Sequence, residues 1–483
     1  MVRKRFKSFI WLIPVLVLVM ITSACGGGST EQPQDADNPT NSVAEIPSQQ
    51  TEDNVEDSQT EPEASSVVTE TTTEENSEEE TTESEPKEEV QKLELIKYGF
   101  GQDGSYGSYA FIIENPNQSF SIMNTQFQIA IFDENGNELS TDFPHIEHLD
   151  VIYPGQSVGL SGKLDLDEGQ LISKIEIKIQ DGDPEIVDQM YTFDTENITY
   201  FYGEYSSSVT SVITNPYNTD LTNILVSAVL YDDDGNIIGG GFTYLDFILA
   251  NSSTGVSISL SEDYGDIASV EVYPILSGLT GFTYDYDRPE DASDISIRKF
   301  GFEQNEFGTA YYGFLVENPN DNYALENSQY HMAGYSSDGV VLCSDFGTIE
   351  TILPNQTIGK GGLLFPTSDQ AIDYIEVTIH HGEYIETEAL PSFTAENIQF
   401  INDEYDPQVA GTLMNPYDID ISDLWVYVIA YNDSGDIIGG GYSLLDFLPA
   451  NGEAVVDASV TVSGIPASLE FYATVSSLSE IEE

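Results

Sequence analysis

The chain has 483 residues, and its 84 Asp and Glu against 14 Lys and Arg leave a formal charge of −70 at pH 7. Nucleic acid and anionic bilayers carry the same sign and would repel it, which excludes both as direct partners of the folded part. Two cysteines in so long a chain exclude a disulfide framework.

Arg3, Lys4, Arg5 and Lys7 open the chain and an apolar run follows over residues 9–21, the arrangement of an export signal. The run is shorter than the ~20 apolar residues that a membrane-crossing helix needs, and Pro14 interrupts it. Next comes Ile21-Thr22-Ser23-Ala24-Cys25-Gly26-Gly27. This segment resembles the lipobox of bacterial lipoproteins, where small residues precede a cysteine that becomes the diacylated N-terminus. The resemblance implies lipid attachment at Cys25 and a membrane contact made through that anchor; the alternative is ordinary cleavage and release. Residues 26–92 are Ser, Thr, Glu, Gln, Pro and Asp, with about twenty carboxylates against Lys87 and Lys92. So few apolar side chains do not offset the entropy of ordering, and a disordered tether is expected. It would average roughly 45 Å end to end and reach on the order of 200 Å when stretched.

Beyond residue 92 the chain repeats itself at a spacing of about 200 positions: Asn215-Pro216-Tyr217 recurs as Asn415-Pro416-Tyr417, and Ile237-Ile238-Gly239-Gly240-Gly241 as Ile437-Ile438-Gly439-Gly440-Gly441. Leu245-Asp246-Phe247 returns as Leu445-Asp446-Phe447, and Glu114-Asn115-Pro116-Asn117 as Glu317-Asn318-Pro319-Asn320. An array of related modules follows. Strand patterns dominate each one. Phe127 to Ile131, Ile175 to Ile179 and Ile375 to Ile379 alternate at period two, as half-buried antiparallel strands do. Trp425 to Tyr431 is apolar at nearly every position, which predicts a strand covered on both faces. Asn-Pro, Asn-Gly and Asp-Gly punctuation between strands points to β-sandwiches of roughly 100 residues each.

The modules resemble the FxLYD family of small immunoglobulin-like domains. The resemblance rests on an Asn-rich turn, an aromatic-ended strand, an Asp/Gly hairpin and a later turn with Pro or Gly. In the second module these are Thr214-Asn215-Pro216, Ala228 to Asp232, Asp234-Gly235-Asn236 and the strand opening at Ile237. The fourth has Met414-Asn415-Pro416, Ala430-Tyr431-Asn432, Ser434-Gly435-Asp436 and Leu448 to Gly452. The first and third fit more loosely, through Ile131 to Gly136 with Tyr153-Pro154-Gly155, and Gly334 to Gly339 with Leu353-Pro354-Asn355; Ala228 stands where the family name has Phe. The likeness implies an extracellular setting and no catalytic residue.

Several clusters invite chemistry. Asp232-Asp233-Asp234-Gly235-Asn236 suggests calcium, but its length and its place between two strands suit a hairpin turn, as do Asp133 to Asn137 and Asn432 to Asp436. His145-Ile146-Glu147-His148 and His380-His381 lack metal-site spacing for strands, where adjacent side chains point to opposite faces, and His331 falls on a polar side that predicts a solvated residue. The glycine triplets lack the Lys-Ser/Thr of a phosphate loop and suit a bulge or a close approach of sheets. Cys343, in an apolar run, reads as a buried small hydrophobe. Tyr200-Phe201-Tyr202, Tyr205 and Tyr284-Asp285-Tyr286 suit either sugar and peptide contacts or packing between modules.

The expectation is an all-β chain of four tandem immunoglobulin-like β-sandwiches in two similar pairs. The boundaries are 1–24 signal peptide, 25–92 tether, and sandwiches at 93–195, 196–290, 291–395 and 396–483. No catalytic, cofactor or metal residue is assigned. The functional expectation is a lipid-anchored extracytoplasmic binding or spacer protein with a cell-wall, glycan or protein partner, against an enzyme or solute receptor as the alternative.

Overall fold

Each alternating run in the computed structural model becomes a strand, because one face of every pleat finds an apolar partner. The structure describes residues 89–142, 148–187, 189–203, 207–260, 267–283, 288–403 and 406–481, within a unit that spans Ser84–Glu483. These hold 28 strands, and the one helical element among them is the 3-10 turn Leu478–Glu480.

The strands form four antiparallel β-sandwiches in tandem. In the first, β1 (Glu94–Asp103), β2 (Tyr106–Glu114) and β6 (Ser157–Asp165) make one sheet. Against it lies a second sheet built on β3 (Ser121–Phe132), with β4 (Glu138–Asp142), β5 (Leu149–Ile152), β7 (Lys174–Gln180) and β8 (Asp183–Glu185). The second sandwich repeats the plan with β9 (Asp194–Phe201), β10 (Ser207–Thr214) and β13 (Ser253–Leu260) facing β11 (Asp220–Tyr231), β12 (Ile237–Ile248), β14 (Ser269–Ile275) and β15 (Gly281–Thr283). The third has β16 (Ser296–Gln304), β17 (Ala310–Glu317) and β20 (Thr357–Leu364) facing β18 (Tyr323–Tyr335), β19 (Val341–Ile352), β21 (Tyr374–His380) and β22 (Glu383–Glu386). In the fourth, β23 (Thr394–Ile401), β24 (Gln408–Met414) and β27 (Glu453–Val462) join β25 (Ile421–Tyr431), β26 (Ile437–Leu448) and β28 (Ser468–Thr474) through β26–β27 pairing, giving one six-stranded sheet.

The repeated asparagine ties each sandwich together. Asn215 Nδ2 donates to the carbonyls of Thr219, Ile248 and Leu249, and Asn415 Nδ2 to those of Ile419, Leu448 and Pro449. Asn115 and Asn318 make the same bridge, from the turn after the second strand of the sandwich to the chain that enters a later one. All four are buried. A side-chain amide is needed because those carbonyls lie beyond the ladder and out of reach of water.

The sandwiches stack face to face. The first sheet of one covers the second sheet of the next: β1, β2 and β6 lie on β11, β12 and β14; β10 and β13 on β18 and β19; β16, β17 and β20 on β25, β26 and β28. One apolar cluster fills each junction. Ala110 and Ile112 meet Val229, Tyr231 and Ile237; Val212 meets Ala333, Tyr335 and Val341; Leu315 meets Ile429, Tyr431 and Ile437. Beside the aliphatic residue sits a glycine in cross-strand register, Gly159 opposite Ile112, Gly255 opposite Val212 and Gly359 opposite Leu315. A Cβ at Gly159 would stand 2.5 Å from the Tyr273 ring, and one at Gly359 would stand 2.7 Å from that of Tyr472. The triplet glycines serve both roles expected of them: Gly239 takes φ +142° at a bulge in the β11–β12 ladder, and a Cβ at Gly240 would reach 2.7 Å from Ser161 of the preceding sandwich.

The two end faces differ from these in sequence. On the last first-type sheet the matching pair is Thr412 and Val455, the latter 71 % exposed. On the first second-type sheet the cross-strand pair Tyr231–Ile237 is replaced by Phe132–Glu138, with Gln126, Lys174, Glu176, Lys178 and Gln180 exposed around it.

Two outcomes follow. Asn318→Ala is expected to cost about 1–3 kcal/mol by stranding buried carbonyls, seen as a lower urea midpoint. Gly159→Val, which installs the side chain that Val455 carries at the open end, is expected to loosen the first junction at a cost of about 1–3 kcal/mol. Faster hydrogen exchange in β2 and β12 measures it, and Val455→Gly should leave exchange unchanged throughout.

Candidate functional site at the module junctions

The junctions bring together the polar groups with the most unusual surroundings. At each one a side chain from the first strand of a sandwich reaches the hairpin glycine of the next. Lys97 Nζ donates to the Gly235 carbonyl at 2.7 Å, Asn197 Nδ2 to that of Gly339 at 3.2 Å, and Lys299 Nζ to that of Gly435. The two lysines also lie over tyrosine rings, Lys97 5.2 Å from the centroid of Tyr231 and Lys299 4.9 Å from that of Tyr431. Each ring's hydroxyl donates to a glutamate shared with a second tyrosine: Tyr231 and Tyr273 on Glu271, Tyr431 and Tyr472 on Glu470. Burial, with these carboxylates, pushes the Tyr431 hydroxyl up to about 12 and the Tyr231, Tyr273 and Tyr472 hydroxyls well above the usual phenol value.

Beside the central tyrosine the three junctions diverge. Its cross-strand neighbour is Ser269 at the first, Tyr374 at the second and Ser468 at the third. Tyr374 stacks on Tyr335 with ring centroids 4.9 Å apart and planes 11° from parallel. Ser468 puts no ring there, and a groove of about 530 Å³ lies beside the buried Tyr431, with Tyr472, Arg298, Thr357, Ser468 and Glu470 among its lining residues.

The third junction also buries an ion pair. Lys360 Nζ lies 2.9 Å from Glu350 Oε2 and donates to the Tyr427 hydroxyl at 2.6 Å. Burial pulls its ammonium down against the opposing pull of Glu350.

Histidines mark the middle junction. His331 is 3 % exposed, hydrogen-bonded through Nδ1 to Thr254 Oγ1 at 3.0 Å and set edge-on to Phe247. This overturns its expected solvation: the polar side of β18 is the side that the second sandwich covers. Burial pushes its imidazole down to about 4. His380 packs on Phe247, its Nε2 3.6 Å from Asp220 Oδ2, and is pushed down by burial and by His381 against the pull of Asp220. His380 and His381 stack at 5.2 Å and 12°, contrary to the expected opposite facing, because β21 ends at His380 and strand alternation ends with it. Asp220, Arg288, Asp294 and the two imidazoles line a pocket of about 420 Å³.

Other sequence candidates fall apart from these clusters. Cys25, His145, Tyr205 and Tyr284-Asp285-Tyr286 lie outside the described residues. His148 meets Asp150 at 3.2 Å. The acidic loop 232–236 is a hairpin turn in which Asp232 Oδ1 accepts from the Asp234 and Asn236 amides and Gly235 takes φ +75°. Cys343 is buried and its thiol pushed up to about 12 by desolvation. Tyr200 packs on the second core and Phe201 on the third, so these aromatics join modules. The pockets at the junctions escaped sequence reasoning, because their lining residues come from different modules.

No family model matches the chain, and no curated protein matches it. Among solved structures, the native conformation of Escherichia coli alpha-2-macroglobulin, determined by cryo-EM, is similar at 9% identity and a TM-score of 0.13. The match covers 78% of this chain and 28% of that one.

Because the folded state holds His331 neutral with its affinity for protons below the unfolded 6.5, its contribution is complete above pH 6.5 and is lost as pH falls toward 4. The loss is on the order of 3 kcal/mol by pH 4. Urea unfolding across this range should show it, and His331→Gln, the residue that Gln128 supplies at the matching position, should flatten the slope. Parallel slopes in the two proteins would refute the assignment.

Proposed function

We propose that this chain is an extracytoplasmic lipoprotein, held to the membrane by a diacylated Cys25, that acts as a non-catalytic binding and spacing module. The observation that carries the reading is the stack itself. Three junctions built on one rule join four sandwiches, on the order of 70 Å of contour at about 10 Å per layer. Stacking leaves grooves along the sides and uses interlocked faces in place of flexible linkers. Such a body suits display at a distance from a surface, and residues 26–92 add reach.

Further support comes from the sequence. The basic opening, the apolar run over 9–21 and Ser23-Ala24-Cys25-Gly26 are what export and acylation require. The resemblance of the modules to FxLYD domains fits the same setting. An excess of carboxylates keeps the surface hydrated and turns away nucleic acid.

Mass spectrometry of the mature protein is expected to find Cys25 as its first residue, carrying a diacylglyceryl thioether. Cys25→Ala should abolish the acyl mass and release the chain from the membrane fraction. A mature chain that retains residues 1–24, or that starts elsewhere without lipid, would remove the anchor from this reading.

A further inference from the structure

We infer that the middle junction is an acid-released joint: as the surroundings acidify, the second and third sandwiches part at their shared face, leaving two pairs hinged at the centre with all four sandwiches folded. Three features single this junction out. It holds both imidazoles that are buried among the described residues, His331 and His380, and both pack on Phe247 of the second sandwich. At the strand position of His331 the first junction carries Ser227, bonded to Ser161, and the third carries Tyr427, bonded to Lys360. Neither hydroxyl takes up a proton in mild acid. The apolar cluster here is also the smallest of the three, and Val212, its only member from the second sandwich, is half-buried. On the same face of β10 the hydroxyls of Ser208 and Thr210 are buried without a hydrogen-bond partner among the described residues, which weakens the contact further.

Position decides what gives way. His331 lies on the outer face of β18, so parting the sandwiches returns it to water without breaking a ladder or opening a core. From the covering side it meets Thr254 of β13 and Phe247 of β12, and within its own sheet it lies beside Phe346 and Thr378. None of these carries a charge, and burial alone pushes its imidazole from 6.5 down to about 4. His380 faces Asp220 at 3.6 Å, the stacked His381 and, around the same pocket, Arg288 and Asp294. Burial and His381 pull it down, and Asp220 opposes them without prevailing. Between pH 6.5 and 4 the parted form therefore holds protons that the closed form excludes, so falling pH favours parting. His331 alone multiplies the ratio of parted to closed molecules on the order of 50-fold between pH 7.5 and pH 4.5. His380 acts in the same direction.

Two backbone amides report on two joints separately. The Ser257 amide donates to Ser344 Oγ at 3.0 Å across the middle junction, and the Gly240 amide donates to Ser108 Oγ at 2.9 Å across the first. Hydrogen exchange of the purified full-length chain, followed by mass spectrometry at pH 7.5 and pH 4.5 and divided by the intrinsic rate at each pH, gives the protection of both. Ser257 is expected to lose protection on the order of 50-fold, while Gly240 and the strand ladders keep theirs. Carboxylates titrate over the same range at every junction, and Gly240 carries that shared effect. His331→Gln should remove most of the loss at Ser257. His380→Gln, at the wall of its pocket, serves if His331→Gln does not fold and should shrink the loss in the same direction. Unchanged protection of Ser257 at pH 4.5, equal losses at Ser257 and Gly240, or an undiminished loss in the folded histidine variant overturns the inference. The readout does not pass through Cys25 or any bound partner, so its failure leaves the anchored spacer standing.

Discussion

Close approach of one sandwich to the next depends on a pair of neighbours, a large aliphatic side chain and a glycine, in cross-strand register on the covering sheet: Ile112 with Gly159, Val212 with Gly255, Leu315 with Gly359. The aliphatic residue enters the cluster around the central tyrosine, and the glycine makes room for the side chains beside it, Tyr273 at the first junction and Tyr472 at the third. Facing sheets keep native packing density only when their side chains interdigitate, so neither member can be exchanged alone. The interior sheets are buried on both faces as a result. That is why Trp425 to Tyr431 lost the alternation that Lys174 to Gln180, on an open face, retains.

The scarce cations fit the same frame. Lys97 and Lys299 direct their charge at a turn carbonyl and a tyrosine face. Lys360 gives up more. Its ion pair with Glu350 sits between two sandwiches, and desolvation of such a pair offsets most of its attraction. Its value lies in matching: a carboxylate and an ammonium from the third sandwich meet the hydroxyl of Tyr427 from the fourth. A shifted register would leave both charges buried without that hydroxyl.

Strand content, turn chemistry and the modular plan were legible because they are local. Gly235 with Asp232 spells a hairpin, and Asn215-Pro216 spells a turn that the amide then pins. What lay beyond a single module was hidden. His331 looks solvated on its own strand, and only the second sandwich, contributed by residues about 77 positions earlier at Thr254, buries it. The groove beside Ser468 was hidden as well, since its lining residues come from two modules, Arg298, Leu315 and Thr357 from the third and Tyr431, Ser468, Glu470 and Tyr472 from the fourth. Long-range covering of one sheet by another leaves no periodicity in either strand. It leaves a trace only in differences between modules.

Those differences are most telling where the modules are most alike. The second and fourth share the Asn-Pro-Tyr turn, the glycine triplet and the Leu-Asp-Phe strand end, yet Val212 and Gly255 of one become Thr412 and Val455 of the other. The first differs from the third in the same way, Phe132 and Glu138 standing for Tyr335 and Val341. Both changes fall on the faces that have no neighbour among the described residues, and both oppose docking: a branched side chain stands where the close approach needs glycine, and a carboxylate where the cluster needs an aliphatic group. Head-to-tail packing of identical faces would otherwise continue from molecule to molecule. Repeat proteins give their terminal repeats outer faces unlike their inner ones, and here the two cross-strand pairs mark that difference, Thr412 with Val455 on one face and Phe132 with Glu138 on the other.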